Sequence, residues 1–275
     1  MLIHSLPAAA GLIWVREGWR LVRRQPLGLS SMVVVYVTML LLPLLLPAIG
    51  IIVSGILAPF ATLGLMNVCQ AVHQGRPPLI NSFAAPFKPA AARIQLFRLG
   101  LLNAALLSVI ATVVMLAGGD RAEQQALDEV PWDLIVLQLL LYAPVLAMMW
   151  FAPPLAGWNG LTAGKAVFGS VVGCMRNLTP MLVYGLAISA LTFGSASLVG
   201  GALTVLGLSR QGLVVLLTPL VLLLMTVVQA TFYPMYRAIY TQPDDDRAAA
   251  ERAAQWATSW RLKQLRAAPP PAAVP

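Results

Sequence analysis

The chain has 275 residues, of which 59% are apolar and only 10% charged, and its mean hydropathy is +0.80. A soluble domain carries about 25% charged residues, so a water-soluble globular protein is excluded. Two cysteines, Cys69 and Cys174, give neither a disulfide scaffold nor a metal-binding spacing. In so apolar a chain the net charge of +8 reads as membrane topology before it reads as nucleic-acid binding.

Residues 12–24 come first in chain order. On a helical wheel at about 100° per residue, Leu21, Trp14, Gly18, Val22, Val15, Trp19 and Leu12 fill one half. Arg23, Arg16, Arg20, Arg24 and Glu17 fill the other, and only Ile13 is misplaced. A helix of this kind lies in the membrane interface, apolar side down, with Arg16, Arg20, Arg23 and Arg24 near anionic head groups. A plain topology anchor for the span that follows accounts for the same residues. Residues 1–26 form this basic arm, and no small-x-small cleavage site follows the first apolar core, so a cleavable signal peptide is not expected.

Between Arg24 and His73 stand 48 uncharged residues, roughly 72 Å as one helix and more than twice a bilayer core. Two spans are predicted, about 27–48 and 51–72, with the turn near Pro43, Pro47 and Gly50. Further apolar stretches run from Leu99 to Gly118, Leu134 to Ala156, Arg176 to Ser209 and Gln211 to Tyr236, giving six spans in three hairpins over residues 27–240. An inner-surface segment precedes each hairpin: the basic arm, then residues 79–97 with Phe83, Phe87 and Phe97 among Lys88 and Arg93, then residues 161–176. Two of them end in a basic residue followed closely by proline, Arg24-Gln25-Pro26 and Arg176-Asn177-Leu178-Thr179-Pro180, and proline suits the first turn of the next helix.

Sixteen of the eighteen Lys and Arg residues fall on one side of this plan. Only Arg121 and Arg210 remain for the other, whose main loop holds Asp120, Glu123, Asp128, Glu129 and Asp133. The bias predicts that both termini are cytoplasmic. Cys69 and Cys174 then lie at the inner side and are expected to stay reduced. The cytoplasmic tail, residues 241–275, opens with Asp244-Asp245-Asp246, which suits a helix start. A helix there puts Ala249, Ala253, Trp256 and Trp260 on one stripe before a proline-rich end.

No span has a charged residue in its interior, and an intramembrane charge is the usual pointer to transport or catalysis. The polar groups that remain are Asn67, Asn103, Gln138 and Gln229. Such amides bond helices together at about 1 kcal/mol each, or line a cavity if they converge. In the fifth span ten of the seventeen residues from Gly185 to Gly201 are Gly, Ala or Ser. Gly194, Ser197, Gly200 and Gly201 sit in small-x-x-x-small spacings that predict close helix approach, at the centre of the bundle or between two copies of the chain.

Enzyme motifs fail one by one. Gly160-Leu161-Thr162-Ala163-Gly164-Lys165-Ala166 approximates a phosphate loop, but has three residues between the glycines instead of four and Ala166 where Ser or Thr holds magnesium. His4 and His73 are remote in sequence, with no His-Glu-x-x-His, Cys-x-x-Cys or Gly-x-Ser-x-Gly. No catalytic residue, cofactor or metal ligand is predicted.

Phe151-Ala152-Pro153-Pro154, the Ala166 to Ser170 stretch and Arg176-Asn177 resemble an uncharacterised family of six-span inner-membrane proteins of betaproteobacteria and their relatives. Gly18-Trp19 and Arg24-Gln25-Pro26 are similar to that family's opening, and the likeness covers about residues 12–240. The layout also resembles that of YciC-like membrane proteins and of the membrane domain attached to some glycerophosphodiester phosphodiesterases. The resemblance implies a fold and a bacterial inner-membrane location, with no catalytic residues to carry over. The expectation is therefore an all-α polytopic bundle of six transmembrane helices with cytoplasmic interfacial helices. It acts as a structural, accessory or assembly subunit that contacts anionic lipid, another membrane protein or its own copies, and no nucleic acid. The alternative is a transporter or channel for a neutral or lipid-like solute, with the four amides meeting in a central cavity.

Overall fold

The structure is a computed structural model that describes residues 3–47, 49–118, 132–205 and 210–240. The acidic loop apart from Asp133, and the tail with its tryptophan stripe, lie outside the described residues. Those described fold into helices: α1 (Ala10–Arg24), α2 (Pro26–Leu41), α3 (Gly50–His73), α4 (Ile80–Phe83), α5 (Ala90–Gly118), α6 (Trp132–Met149), α7 (Ala152–Gly157), α8 (Ala163–Arg176), α9 (Leu178–Val205) and α10 (Arg210–Tyr240), with no strand among the described residues. Six segments are long and apolar enough to cross a membrane, built on α2, α3, α5, α6 with α7, α9 and α10.

Local chemistry sets the helix ends. Pro26 occupies the first turn of α2, where its missing N–H is no loss. Pro43 tightens the end of that span into a 3₁₀ turn over Leu42–Leu45, and the chain reverses to start α3 at Gly50. Residues 90–98 are the opening turns of the long α5, so the surface element before the second hairpin is only α4 with the 3₁₀ turn Ala85–Phe87. The fourth span is not one rod. It breaks at Trp150-Phe151, and the short α7, opened by Pro153 and Pro154, is buried from Ala152 to Ala156. Ser170 of α8 bridges the break, accepting from Phe151 N at 2.9 Å and donating to the Ala147 carbonyl at 2.7 Å. Gly160 then turns the chain into α8 with φ of +64°, a conformation that glycine adopts without strain.

The three hairpins interlock in a cyclic order. Each surface element lies mainly against the hairpin before the one it introduces: α4 on α3, α8 on α6 and α7, and α1, from the start of the chain, on α9 and α10 at its end. The innermost span is α3, half buried within the protein, and it crosses α5 at close range. A Cβ at Gly55 would stand 2.7 Å from Ala104 Cα, and one at Gly100 would stand 2.8 Å from Ile56 Cα, so a side chain at either position would separate the pair. Two apolar clusters result. One gathers Trp14, Phe60, Leu99, Phe151, Leu155, Met235 and Tyr236, the other Leu29, Val33, Val68, Phe83, Val227 and Tyr233.

The fifth span departs from expectation. Only 6% of its most apolar stretch is buried, and Leu182, Leu186, Phe193 and Leu198 face outward. Gly194, Ser197 and Gly201 are exposed, a Cβ at Gly194 or Gly201 would meet nothing within 4 Å, and one at Gly200 would only touch Leu217 at 4.0 Å. The small-residue span lies at the rim of the bundle and not at its centre. Small residues permit close approach but do not compel it, and a lipid-facing helix needs no apolar cover from protein.

Candidate functional site

Among the described residues the Lys and Arg side chains other than that of Arg210 fall on α1, just after α3, at or before the start of α5, on α8 and near the end of α10. We refer to this as the basic end. Helix α1 has no charge-free length to span a membrane, yet Ala10, Gly11, Trp14, Gly18, Leu21 and Val22 are buried. They are buried by protein, where the wheel alone placed the apolar half against lipid. The reason is glycine: a Cβ at Gly18 would come 2.5 Å from Thr231 Cγ2, and one at Gly11 would come 2.7 Å from Tyr184 N, so α1 sits directly on α9 and α10. Trp14 meets the edge of Tyr184 with ring centroids 6.3 Å apart, and the Tyr184 hydroxyl shares a hydrogen bond of 2.8 Å with Thr231. Leu12, Ile13 and Trp19 stay exposed on the flanks of this face.

Arg16, Arg20, Arg23 and Arg24 project from the opposite side of α1 and are all exposed. Arg20 pairs with Glu17, a solvent-facing pair of a kind worth about 0–1 kcal/mol. Arg24 donates to the His73 carbonyl at 3.1 Å and ties α1 to the end of α3. Arg16 and Arg23 make no ion pair among the described residues.

The segment before α1 is anchored by a residue that the sequence offered only within the Arg176-to-Pro180 pattern and the family resemblance. Asn177, fully buried between α8 and α9, accepts from Leu6 N at 2.9 Å and donates to the carbonyls of His4 at 2.9 Å and Gly173 at 3.0 Å. Ser5 adds a bond to the Arg176 carbonyl at 3.2 Å, and His4 N donates to the Ile239 carbonyl at 2.9 Å. The start of the chain is thus fastened to the third hairpin. The one signal in sequence was an amide placed directly between two apolar helices.

The four candidate amides occupy different surroundings. Asn67 accepts from the Trp158 indole at 2.7 Å, and Asn103 donates to the Gly55 carbonyl at 3.1 Å across the α3–α5 crossing. Gln229 borders a void of about 10 Å³ beside Tyr36, Thr62 and Met66, about the room for one water. Gln138 is exposed on α6 and edges an apolar groove of about 490 Å³ between α5 and α6, far along the chain fold from the basic end. The structure brings no single cavity to all four. Asn67 belongs to a polar ring at the basic end, where Tyr236 donates to Asn159 and the Tyr240 hydroxyl donates to the Gly169 carbonyl at 3.0 Å.

No three His, Cys, Asp or Glu side chains come together to hold a metal among the described residues. Cys174, on the surface helix α8, is buried beside the Ala147 carbonyl. Burial pushes its thiol up to about 12, against a smaller lowering by Ser170, so at neutral pH it is a protonated, unreactive side chain.

A search of protein-family models gives no match, and no solved structure matches. The chain is 29% identical over 255 residues, 87% of its length and 94% of the relative's, to a probable inner membrane protein of Burkholderia thailandensis. Six apolar helices and that relative together define a multi-pass protein of the inner membrane.

Proposed function

We propose that this is a non-enzymatic structural, accessory or assembly protein of a bacterial inner membrane, with its basic end and both termini in the cytoplasm and its arginines on anionic lipid. The observation that carries this reading is the division of labour in α1. One face is locked into the bundle through Trp14, Gly11 and Gly18, while Arg16, Arg20 and Arg23 are held outward on a rigid support. An arginine row fixed in this way presents charge to a surface at about 1 kcal/mol per residue near anionic head groups. The polar groups inside the spans support the same reading, since Asn67 and Asn103 bond neighbouring helices. The YciC-like layout seen in the sequence is part of this proposal.

The test is lipid enrichment. The protein is extracted from its own membrane in polymer-bounded discs, and the ratio of anionic to zwitterionic lipid is compared with that of the bulk membrane. The reading predicts enrichment of anionic lipid, lost when Arg16, Arg20, Arg23 and Arg24 are changed to Gln without loss of insertion. Equal ratios in both forms would sink it.

A further inference from the structure

Away from the basic end, the groove of about 490 Å³ between α5 and α6 lies within the membrane-spanning part, with Ile51 of α3 at its side. We infer that this groove binds one neutral prenyl lipid of the isoprenoid quinone class, its carbonyl-bearing ring held by Gln138 and Tyr142 and its prenyl chain along the apolar walls. The inference goes beyond the lipid-contact reading above and draws on none of the arginines that carry it.

Three observations converge. The first is polarity out of place. Gln138 and Tyr142 sit one turn apart on α6, both are exposed, and neither has a hydrogen-bond partner among the described residues. Asn67 and Asn103, by contrast, each bond to protein. In lipid an unmet amide or hydroxyl costs free energy, and a ligand that accepts from both side chains removes that cost.

The second is the lack of charge. No Lys, Arg, Asp, Glu or His is found among the described residues of the lining. Gln138 lies six residues past Trp132, the first residue of α6, or roughly 9 Å along the helix. A phosphate at that depth would have left water with no cation to receive it, so a phospholipid would offer the groove only acyl chains and leave both polar groups unmet. A quinone is uncharged, and its two carbonyl oxygens stand on opposite edges of a flat ring, at a spacing close to that of neighbouring side chains one helix turn apart.

The third is shape. Ile110 is buried as the floor, while Ala111 and Leu139 are exposed at the rims. A Cβ at Gly118 would stand 3.4 Å from Leu134 Cδ1, so α5 and α6 meet at the end away from the basic end and the groove opens sideways, toward lipid. The close crossing of α5 on α3 at Gly55 and Gly100 holds the floor in place, so little ordering is needed when a ligand enters. The volume falls within the range of about 300–1,000 Å³ common to small-molecule sites.

The experiment uses the full chain in detergent, delipidated, and native mass spectrometry with ubiquinone carrying two isoprene units or dioleoyl phosphatidylethanolamine as probes. The expected result is one retained ubiquinone and no retained phosphatidylethanolamine. Gln138→Leu and Tyr142→Phe keep the bulk of each side chain and remove its bond, so each is expected to weaken ubiquinone binding several-fold and the two together about tenfold or more. Ala111→Trp, which fills the groove from an exposed wall position, is expected to abolish binding. All three positions are exposed, so the variants are expected to unfold at the wild-type temperature. The form with Arg16, Arg20, Arg23 and Arg24 changed to Gln keeps the ubiquinone, which separates this site from the anionic-lipid reading. Unchanged retention in the Gln138→Leu, Tyr142→Phe double variant would overturn the site. So would phosphatidylethanolamine that displaces ubiquinone one for one, because the groove would then hold ordinary membrane lipid.

Discussion

Helices α1 and α9 invert what their sequences suggest. Helix α1 is short, carries four arginines and a glutamate, and would pass for a surface anchor, yet Trp14, Leu21 and Val22 rank among the most buried side chains of the protein. Helix α9 is long, almost uncharged and rich in small residues, yet it is the least covered of the six spans. Hydropathy reports which residues avoid water, and in a membrane lipid satisfies that requirement as well as protein does. What marks protein contact here is shape and polarity together: glycines opposite a neighbour's backbone, a large aromatic ring, and an amide or hydroxyl with a bonding partner. Helix α1 has the glycines and the ring, the bonded hydroxyl beside them is that of Tyr184 at the start of α9, and beyond Tyr184 helix α9 offers mainly small size.

That contrast breaks if substitution at the two helices has similar effects. Gly18→Leu forces a side chain into Thr231, and Trp14→Ala opens a cavity in the core, so each is expected to cost about 3–5 kcal/mol and to lower the unfolding temperature in detergent sharply. Gly194→Leu and Gly201→Leu, with open space around them, are expected to shift it within about 0.5 kcal/mol. Asn177→Ala comes next in size, since it leaves Leu6 N and the His4 and Gly173 carbonyls without their shared partner. A cost of about 1–3 kcal/mol is expected. It is expected to expose Leu6, which packs against the core, and a cysteine placed there would register this as faster labelling.

Smaller effects sharpen the picture. Asn67→Ala removes the acceptor of the Trp158 indole at a cost of about 1 kcal/mol, while Gln138→Ala on the exposed face of α6 leaves stability unchanged; equal effects would contradict the separate placement of the amides. Cysteine reactivity gives the finest comparison, within α8 alone. With its thiol pushed up to about 12, Cys174 at pH 8 has about one molecule in ten thousand as thiolate. A maleimide is expected to leave it unmodified and to label a Lys165→Cys variant, exposed in the first turn of α8, within minutes.

Much of the architecture was legible in the residues. The unbroken apolar run after Arg24, interrupted by Pro43, Pro47 and Gly50, placed the first hairpin, and Pro26 marked the start of α2. The three surface segments were legible too, but not their destinations. Their cyclic placement depends on pairings between distant parts of the chain, and neither periodicity nor charge encodes these. Pro153 and Pro154 entered the sequence analysis only through the family resemblance, and the break falls ahead of them at Trp150-Phe151, held by Ser170, a residue with no local signal. Ile13 was visible as a misfit on the wheel, and it stays exposed on the flank of α1. The candidate site lies where three separate segments meet, so sequence could supply its members but not their meeting.

Gentle extraction of the tagged protein from its native membrane, followed by native mass spectrometry of everything that stays bound, tests the proposed role most directly. An accessory protein is expected to emerge with a protein partner in fixed stoichiometry and with anionic lipid. A lone chain holding a defined water-soluble small molecule would contradict that role and turn the account toward transport.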